Sequence, residues 1–183
     1  MMNGDDLAKA IFDAVNGADP NDASSNIAIN YQRAIGDYLA DNIEVEGAFA
    51  GASTSTPPVP YACTVKAKVT FPTFIFLPAP DNLTFHLNLA NAMKLGIITY
   101  LECESPSDAI AATPTSFLPA GFFLNIFPST FDAEENDVMA YMKAYCGNIV
   151  DQIKSNFQAM PAAATVTSAG VPYIGTVTFT SIK

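Results

Sequence analysis

Hydrophobic residues recur every three or four positions in several segments of the chain, which is the spacing of one face of an α-helix. This pattern predicts helices over residues 5–16, 24–45 and 132–157. Asp5 and Asp6 place negative charge at the start of the first helix, where it is favourable, and Asp132 can cap the last one. We expect the first two helices to pack as a hairpin, with Gly36 allowing their close approach.

The hydrophobic pattern of residues 81–96 fits two structures. Leu83 and Leu87 are spaced as on one face of a helix, whereas residues 85–89 also alternate between apolar and polar, as in a strand. Asp81 is a suitable N-cap for a helix. We therefore favour a helix here and leave the strand alternative open.

Alternation of apolar and polar residues, or a short apolar run ended by proline, predicts strands elsewhere in the chain. Strands are expected over residues 59–75, 97–102, 122–127 and 165–183. In the first of them, Lys66 and Lys68 alternate with Val65 and Ala67, which indicates one solvent-facing side. The two lysines could also protect an exposed sheet edge against pairing with another chain.

One short sequence occurs twice. Residues 59–65 read VPYACTV and residues 171–177 read VPYIGTV, so five of the seven positions are identical. Each copy follows a helical segment and then a linker rich in small residues; these are 31–43 and 47–58 for the first copy, and 141–153 and 158–170 for the second. We interpret the chain as an internal duplication of a unit made of a helix, a linker and a Pro-Tyr strand.

Together, these patterns predict an α+β fold in which internally duplicated helix–linker–strand modules surround a small antiparallel sheet. Residues 1–75 would form the helical hairpin and the first Pro-Tyr strand, and residues 132–183 the second helix and Pro-Tyr strand. Residues 76–131 would be a middle insert within one compact domain. The linkers are expected to be extended arms, because their side chains are too small to hold a core.

The composition excludes several classes of function. Only 14% of the 183 residues are charged, against about 25% in ordinary soluble domains, and the net charge is −10. No cluster of Lys and Arg is present, so we expect neither nucleic-acid binding nor attraction to an anionic membrane. A low charge fraction is typical of a subunit whose surface is covered by neighbours. The acidic, polar start and the lack of a long apolar run argue against a signal peptide and a membrane span.

Candidate catalytic and metal-binding residues are few. His86 is the only histidine, and no second catalytic group accompanies it in sequence. Cys63, Cys103 and Cys146 form no Cys-x-x-Cys pair, so we expect partly buried free thiols rather than a disulfide or a zinc site. The acidic run 132–137 lacks the spacing of an EF-hand loop. We assign no catalytic, cofactor-binding or metal-binding residue and expect no enzyme activity.

Aromatic residues in proline-punctuated stretches are the remaining candidates for function. They are either core residues or exposed patches that dock onto neighbouring subunits. The candidates for contact with a partner are Phe74, Phe76, Phe122, Phe123, Tyr61 and Tyr173.

Two segments and their order along the chain resemble small virion structural proteins of tailed bacteriophages. They are the start Met-Asn-Gly-Asp at residues 2–5 and the helix Arg-Ala-Ile-Gly-Asp-Tyr-Leu-Ala at 33–40, which is followed by the small-residue linker and strand. The resemblance covers about residues 2–65 and, through the duplication, 138–183. It implies a non-enzymatic subunit of the capsid, neck, tail or baseplate, assembled into the virion in the host cytoplasm. The implied partners are other virion structural proteins and further copies of the chain.

Two other interpretations stay open. One is a small ligand-binding or enzymatic domain whose site is assembled in space around His86. The other is a soluble interaction domain unrelated to viruses.

Overall fold

The computed structural model describes residues 1–17, 27–76, 81–125 and 138–183. In this part of the chain, the helices are α1 (Gly4–Asn16), α2 (Ile27–Asn42), α3 (Asn82–Lys94) and α4 (Val138–Asn156). The strands are β1 (Glu44–Ser53), β2 (Pro60–Thr70), β3 (Ile97–Cys103), β4 (Ala109–Ala112), β5 (Thr115–Ser116), β6 (Ala162–Ser168) and β7 (Val171–Ile182).

The strands form one antiparallel sheet of seven strands in the order β4-β6-β7-β1-β2-β3-β5. The two edge strands, β4 and β5, are separated in sequence by only Thr113 and Pro114. Two residues between the strands span no more than about 10 Å. The sheet therefore curls until its edges approach each other. The combination of helices with one antiparallel sheet confirms the predicted α+β class.

One face of the sheet belongs to the core and the other faces solvent. On β1, Val45 and Phe49 are fully buried, whereas Ala48 before Phe49 and Ala50 after it are exposed. The same alternation runs along β2, β6 and β7. The buried side packs with the apolar residues of the helices into a single hydrophobic core. This alternation of buried and exposed residues is typical of an antiparallel sheet with one face in the core and the other in solvent.

Helix α1 is fixed at its start by short-range hydrogen bonds. The side chain of Asn3 accepts from the backbone N–H of Asp5 at 2.9 Å, so Asn3 is the N-cap. The hydroxyl of Tyr38 in α2 donates to the carbonyl oxygen of Asn3 at 2.7 Å and ties the two helices together. The predicted packing of the first two helices is therefore confirmed.

Gly36 does not have the role that the sequence suggested. A Cβ atom at this position would lie 2.9 Å from the side chain of Phe74, so the glycine makes room for that ring rather than for α1. The close helix contact involves α1 and α4 instead. A Cβ at Gly4 would lie 2.4 Å from the Cα of Gly147, which shows how tightly these two helices cross.

The predicted linkers are largely strands. Residues 47–53 belong to β1, the middle strand of the sheet, and residues 162–168 form β6. Their small side chains allow close packing rather than slack: a Cβ at Gly47 would lie 2.7 Å from the carbonyl oxygen of Thr178. Helix α2 accordingly ends at Asn42, and the chain enters β1 at Glu44.

Four further predictions can be compared with the structure. Asp81 caps α3 by accepting from the N–H of Thr84 at 2.8 Å, so residues 82–94 are helical, and β3 follows as expected. Lys66 and Lys68 do not lie on an edge, because β2 is paired on both sides. Residues 122–125 form no strand. The remainder of that segment, the acidic run 132–137 and the predicted start of the second helix lie outside the described residues.

The two Pro-Tyr sequences occupy related places. Each begins the second strand of a hairpin that follows a helix: α2 precedes β1 and β2, and α4 precedes β6 and β7. Strands β2 and β7 flank β1 on opposite sides. In register, Tyr61 is opposite Gly51 and Tyr173 is opposite Ser53, so the two copies are offset by two residues along β1. The internal duplication itself stays a prediction.

Candidate interaction surface

The solvent-facing side of the sheet carries small, uncharged side chains over four neighbouring strands. The register places Ala48 between Thr64 and Thr178, and Ala50 between Ala62 and Thr176. We call this surface the Ala/Thr face; it consists of Ala48, Ala50, Ala62, Thr64, Ala163, Thr165, Ile174, Thr176 and Thr178. All of these side chains are exposed except Thr165, which is partly exposed.

Charged residues lie at one end of this face only. Lys66 on β2 is 3.6 Å from Glu44 on β1, and Lys183 is 2.5 Å from Glu46. The hydrogen bond from Lys183 lowers the pKa of the Glu46 carboxyl, and the carboxylate in turn raises the pKa of Lys183. Exposed ion pairs of this kind contribute little to stability. Their main effect is to give this end of the face a charged border.

The opposite end of the face is apolar and includes both Pro-Tyr sequences. Ile174 is opposite Ala52, and Ala52 is opposite Pro60 on its other side. Ile174 is 59% exposed, so a branched aliphatic side chain reaches solvent here. From end to end, the surface therefore passes from charged to small and uncharged to apolar.

Below the apolar end, the two repeated tyrosines contact each other on the inner side of the sheet. The rings of Tyr61 and Tyr173 stack with their centroids 4.5 Å apart. Between them lies Gly51, where a Cβ would be 2.5 Å from the ring of Phe49. The glycine thus provides the space in which these three rings pack.

The hydroxyl of Tyr61 donates a hydrogen bond to the carboxylate of Asp108, just before β4. This bond, together with one from Ser168, lowers the pKa of Asp108, and the same carboxylate raises the pKa of Tyr61. The interaction links β2 to the segment that leads into the edge strand β4. It therefore helps to hold the curled sheet together on this side.

The structure separates the six predicted partner-contact residues into different environments. Phe76 and Phe122 are 4% and 3% exposed and contact the chain's own core. Phe74 is partly buried and packs edge-on against Phe76. Only Phe123, at 63% exposed, presents most of its ring to solvent. The remaining two, the stacked tyrosines described above, are partly buried.

His86 is buried in an aromatic cluster rather than placed in an open site. Its ring lies edge-on to Phe85 at 5.6 Å and to Tyr145 at 5.7 Å between centroids. Burial strongly raises the pKa of Tyr145, so this phenol stays protonated at neutral pH. Four surface clefts, among them the one between α1 and α2 and the one between α2 and residues 71–75, are lined by other residues than His86.

Among the described residues, no three side chains of His, Cys, Asp or Glu cluster closely enough to bind a metal ion. Within the same residues, no helix has the length and hydropathy needed to cross a bilayer.

Sequence reasoning missed the Ala/Thr face, although a signal was present. Thr176, Thr178 and Thr180 alternate with buried residues, and the small residues of β1 repeat at alternate positions. The exposed positions of each strand could have been read from this period of two. Their alignment into one surface could not, because it depends on which strands are neighbours.

Comparison with protein-family models, with curated proteins and with solved structures finds no match to this chain.

Proposed function

We propose that the chain is a non-enzymatic structural subunit of a bacteriophage virion, in the capsid, neck, tail or baseplate, which acts through contacts with other virion proteins and with its own copies. The observation that supports this most is the Ala/Thr face. A solvent-facing sheet surface usually carries polar and charged side chains at alternate positions. Here the central rows of four strands carry Ala and Thr and no charged side chain.

The chemistry of this face fits a protein partner. The centres of protein interfaces are depleted of charged residues, as the middle of this face is. The apolar end, where Ile174 is exposed, supplies an aliphatic group that gains from burial, and the charged end supplies a polar rim. The low overall charge of 14% agrees with a surface that is covered in the assembled state.

The same features support the absence of nucleic acid and membrane from the proposed partners. The net charge is −10, and two lysines on this side of the sheet are close to carboxylates: Lys66 to Glu44 and Lys183 to Glu46. Phosphate groups therefore meet little free positive charge on this side of the molecule.

The proposal is tested by measuring how much of the chain is present in particles purified by density gradient. Quantitative mass spectrometry of each gradient fraction should show the chain sedimenting with the particles at a fixed ratio to the other structural proteins. A chain that stays in the light fractions, or whose ratio falls with each round of purification, would contradict a structural role. Alanine in place of His86 should leave the ratio unchanged, provided that the variant folds.

A further inference from the structure

Two of the three cysteines lie next to each other across neighbouring strands. The Sγ atoms of Cys63 on β2 and Cys103 on β3 are 3.3 Å apart, and both residues are free thiols. The register places Cys103 opposite Val65, so Cys63 is its diagonal neighbour on the same, inner side of the sheet. A disulfide bond is about 2.05 Å long, so the two sulfur atoms need to approach by only about 1.3 Å to form one.

The two thiols differ in their access to solvent. Cys63 is partly exposed, whereas Cys103 is 9% exposed. Burial raises the pKa of Cys103 to about 12, and the adjacent thiol of Cys63 acts in the same direction. An oxidant dissolved in water therefore meets Cys63 first. Cys146, on α4, is fully buried and provides an internal reference.

We propose that Cys63 and Cys103 are a redox pair that closes into an intramolecular disulfide when the chain meets a low-molecular-weight disulfide such as oxidised glutathione. This inference rests on the geometry of the two strands and does not depend on the proposed function.

The reaction takes place in two thiol–disulfide exchanges. Cys63 loses its proton to water, and its thiolate attacks one sulfur of oxidised glutathione; the S–S bond breaks and one glutathione thiolate leaves with the electron pair. Cys103 then loses its proton, and its thiolate attacks the Cys63 sulfur of the mixed disulfide, which releases the second glutathione thiolate. Two protein thiols are oxidised, one glutathione disulfide is reduced to two thiols, and the two protons pass through water.

The cross-link would stabilise β3, which pairs along its whole length with β2 but along only part of its length with β5. On the side away from β2, β3 pairs with β5 only at Ile97 and Ile98 among the described residues. Residues 100–103 pair with β2 on one side, and in the described part of the chain no strand pairs with them on the other side. A bond between Cys63 and Cys103 adds a covalent connection at the end of β3, where the chain turns toward Asp108 and β4. We therefore expect the oxidised form to resist proteolysis in residues 99–108 more than the reduced form.

Peptide mapping tests the pairing directly, because cleavage after Lys and Arg places each cysteine in a different peptide. The peptides are 34–66 with Cys63, 95–143 with Cys103 and 144–154 with Cys146. The reduced, folded protein is incubated with oxidised glutathione, the remaining thiols are alkylated under denaturing conditions, and the digest is analysed by mass spectrometry. We expect peptides 34–66 and 95–143 joined to each other, and peptide 144–154 alkylated.

Three variants make the test specific. Cys103→Ser should stop the reaction at glutathione attached to Cys63, and Cys63→Ser should remain unmodified by glutathione. Cys146→Ser should form the same cross-link as the parent chain. The proposal is overturned if the parent chain keeps all three cysteines alkylated, retains glutathione on Cys63, or forms a dimer through Cys63.

Discussion

Asp108 shows how a single side chain can connect distant parts of the sheet. Its carboxylate accepts a hydrogen bond from the hydroxyl of Tyr61, which lies 47 positions earlier in the chain. The pKa of Asp108 is lowered by this bond first and by Ser168 next. A carboxyl with a depressed pKa in the folded state stabilises the fold at pH values above its unfolded pKa. That contribution is lost as the pH falls through the folded pKa.

Replacing Tyr61 by Phe should raise the pKa of Asp108 toward its ordinary value of 3.8, because the hydroxyl donor is removed. The loss of stability on acidification below about pH 4 should be less steep in the variant than in the parent chain. The pKa can be measured from the carboxyl resonance of Asp108 in an NMR titration. Tyr100→Phe is a matched control, because Tyr100 donates to Glu102 instead. An unchanged pKa in Tyr61→Phe would show that the hydrogen bond has no influence on Asp108.

The crossing of α1 and α4 depends on glycine in an asymmetric way. A Cβ added at Gly4 would collide with the backbone of Gly147, at 2.4 Å from its Cα and N atoms. A Cβ added at Gly147 would meet nothing within 4 Å. The two glycines are close to each other, yet only one of them lacks room for a side chain.

Alanine substitutions at these glycines should have opposite effects on stability. Gly4→Ala should lower the free energy of unfolding by about 1–3 kcal/mol, because the helices must move apart to accept the methyl group. Gly147→Ala should raise it by up to about 1 kcal/mol, since alanine is the better helix former and has space. Urea unfolding of the two variants and the parent chain measures both changes. A neutral Gly4→Ala, or a Gly147→Ala that is the more damaging of the two, would contradict the described crossing.

At the scale of the elements, sequence patterns predicted the helices better than the strands. α1 and α3 follow from spaced apolar residues and from caps, and both signals are local. Residues 47–53 were predicted as a flexible linker because their side chains are small. Small residues, however, occur both in segments without a core and in strands packed tightly between neighbouring strands. Only the neighbours decide, and at Gly47 the neighbour is the backbone of Thr178, far along the chain.

The contacts between paired residues could not be predicted for a related reason. Alternation shows that Cys63 and Cys103 each face one side of a strand, but not that β2 and β3 are neighbours in this register. The stacking of Tyr61 on Tyr173 likewise requires β1 to lie between β2 and β7. The repeated Val-Pro-Tyr sequence indicated that the two tyrosines were comparable, and the structure adds that they touch.

For the whole molecule, the main feature is the separation of surface chemistry along the sheet. Ion pairs lie at one end, Ala and Thr in the middle and the exposed Ile174 at the other end. The inner side of the same strands is filled by the core, so the outer side can be changed with little effect on folding. Assembly and stability can therefore be tested separately.

Thr64→Lys should disrupt assembly while the chain still folds, because it places a charge within the Ala/Thr face, opposite Ala48, where a partner would have to desolvate it. Its free energy of unfolding should stay within about 0.5 kcal/mol of the parent value, as for most exposed substitutions. Thr70→Lys is the control: it lies on the same strand and the same side, two residues beyond Lys68 and outside the Ala/Thr face. Sedimentation of the assembled and free protein measures the difference. If the two variants assemble equally well, the Ala/Thr face is not part of the interface.

Electron microscopy of the purified particles tests the central claim most directly, because it locates the chain and its neighbours together. We expect density for the chain at a fixed copy number, with Ala50 and Thr176 of the Ala/Thr face within contact distance of an adjacent subunit. Particles without this chain, or with the Ala/Thr face open to solvent in every copy, would contradict the account.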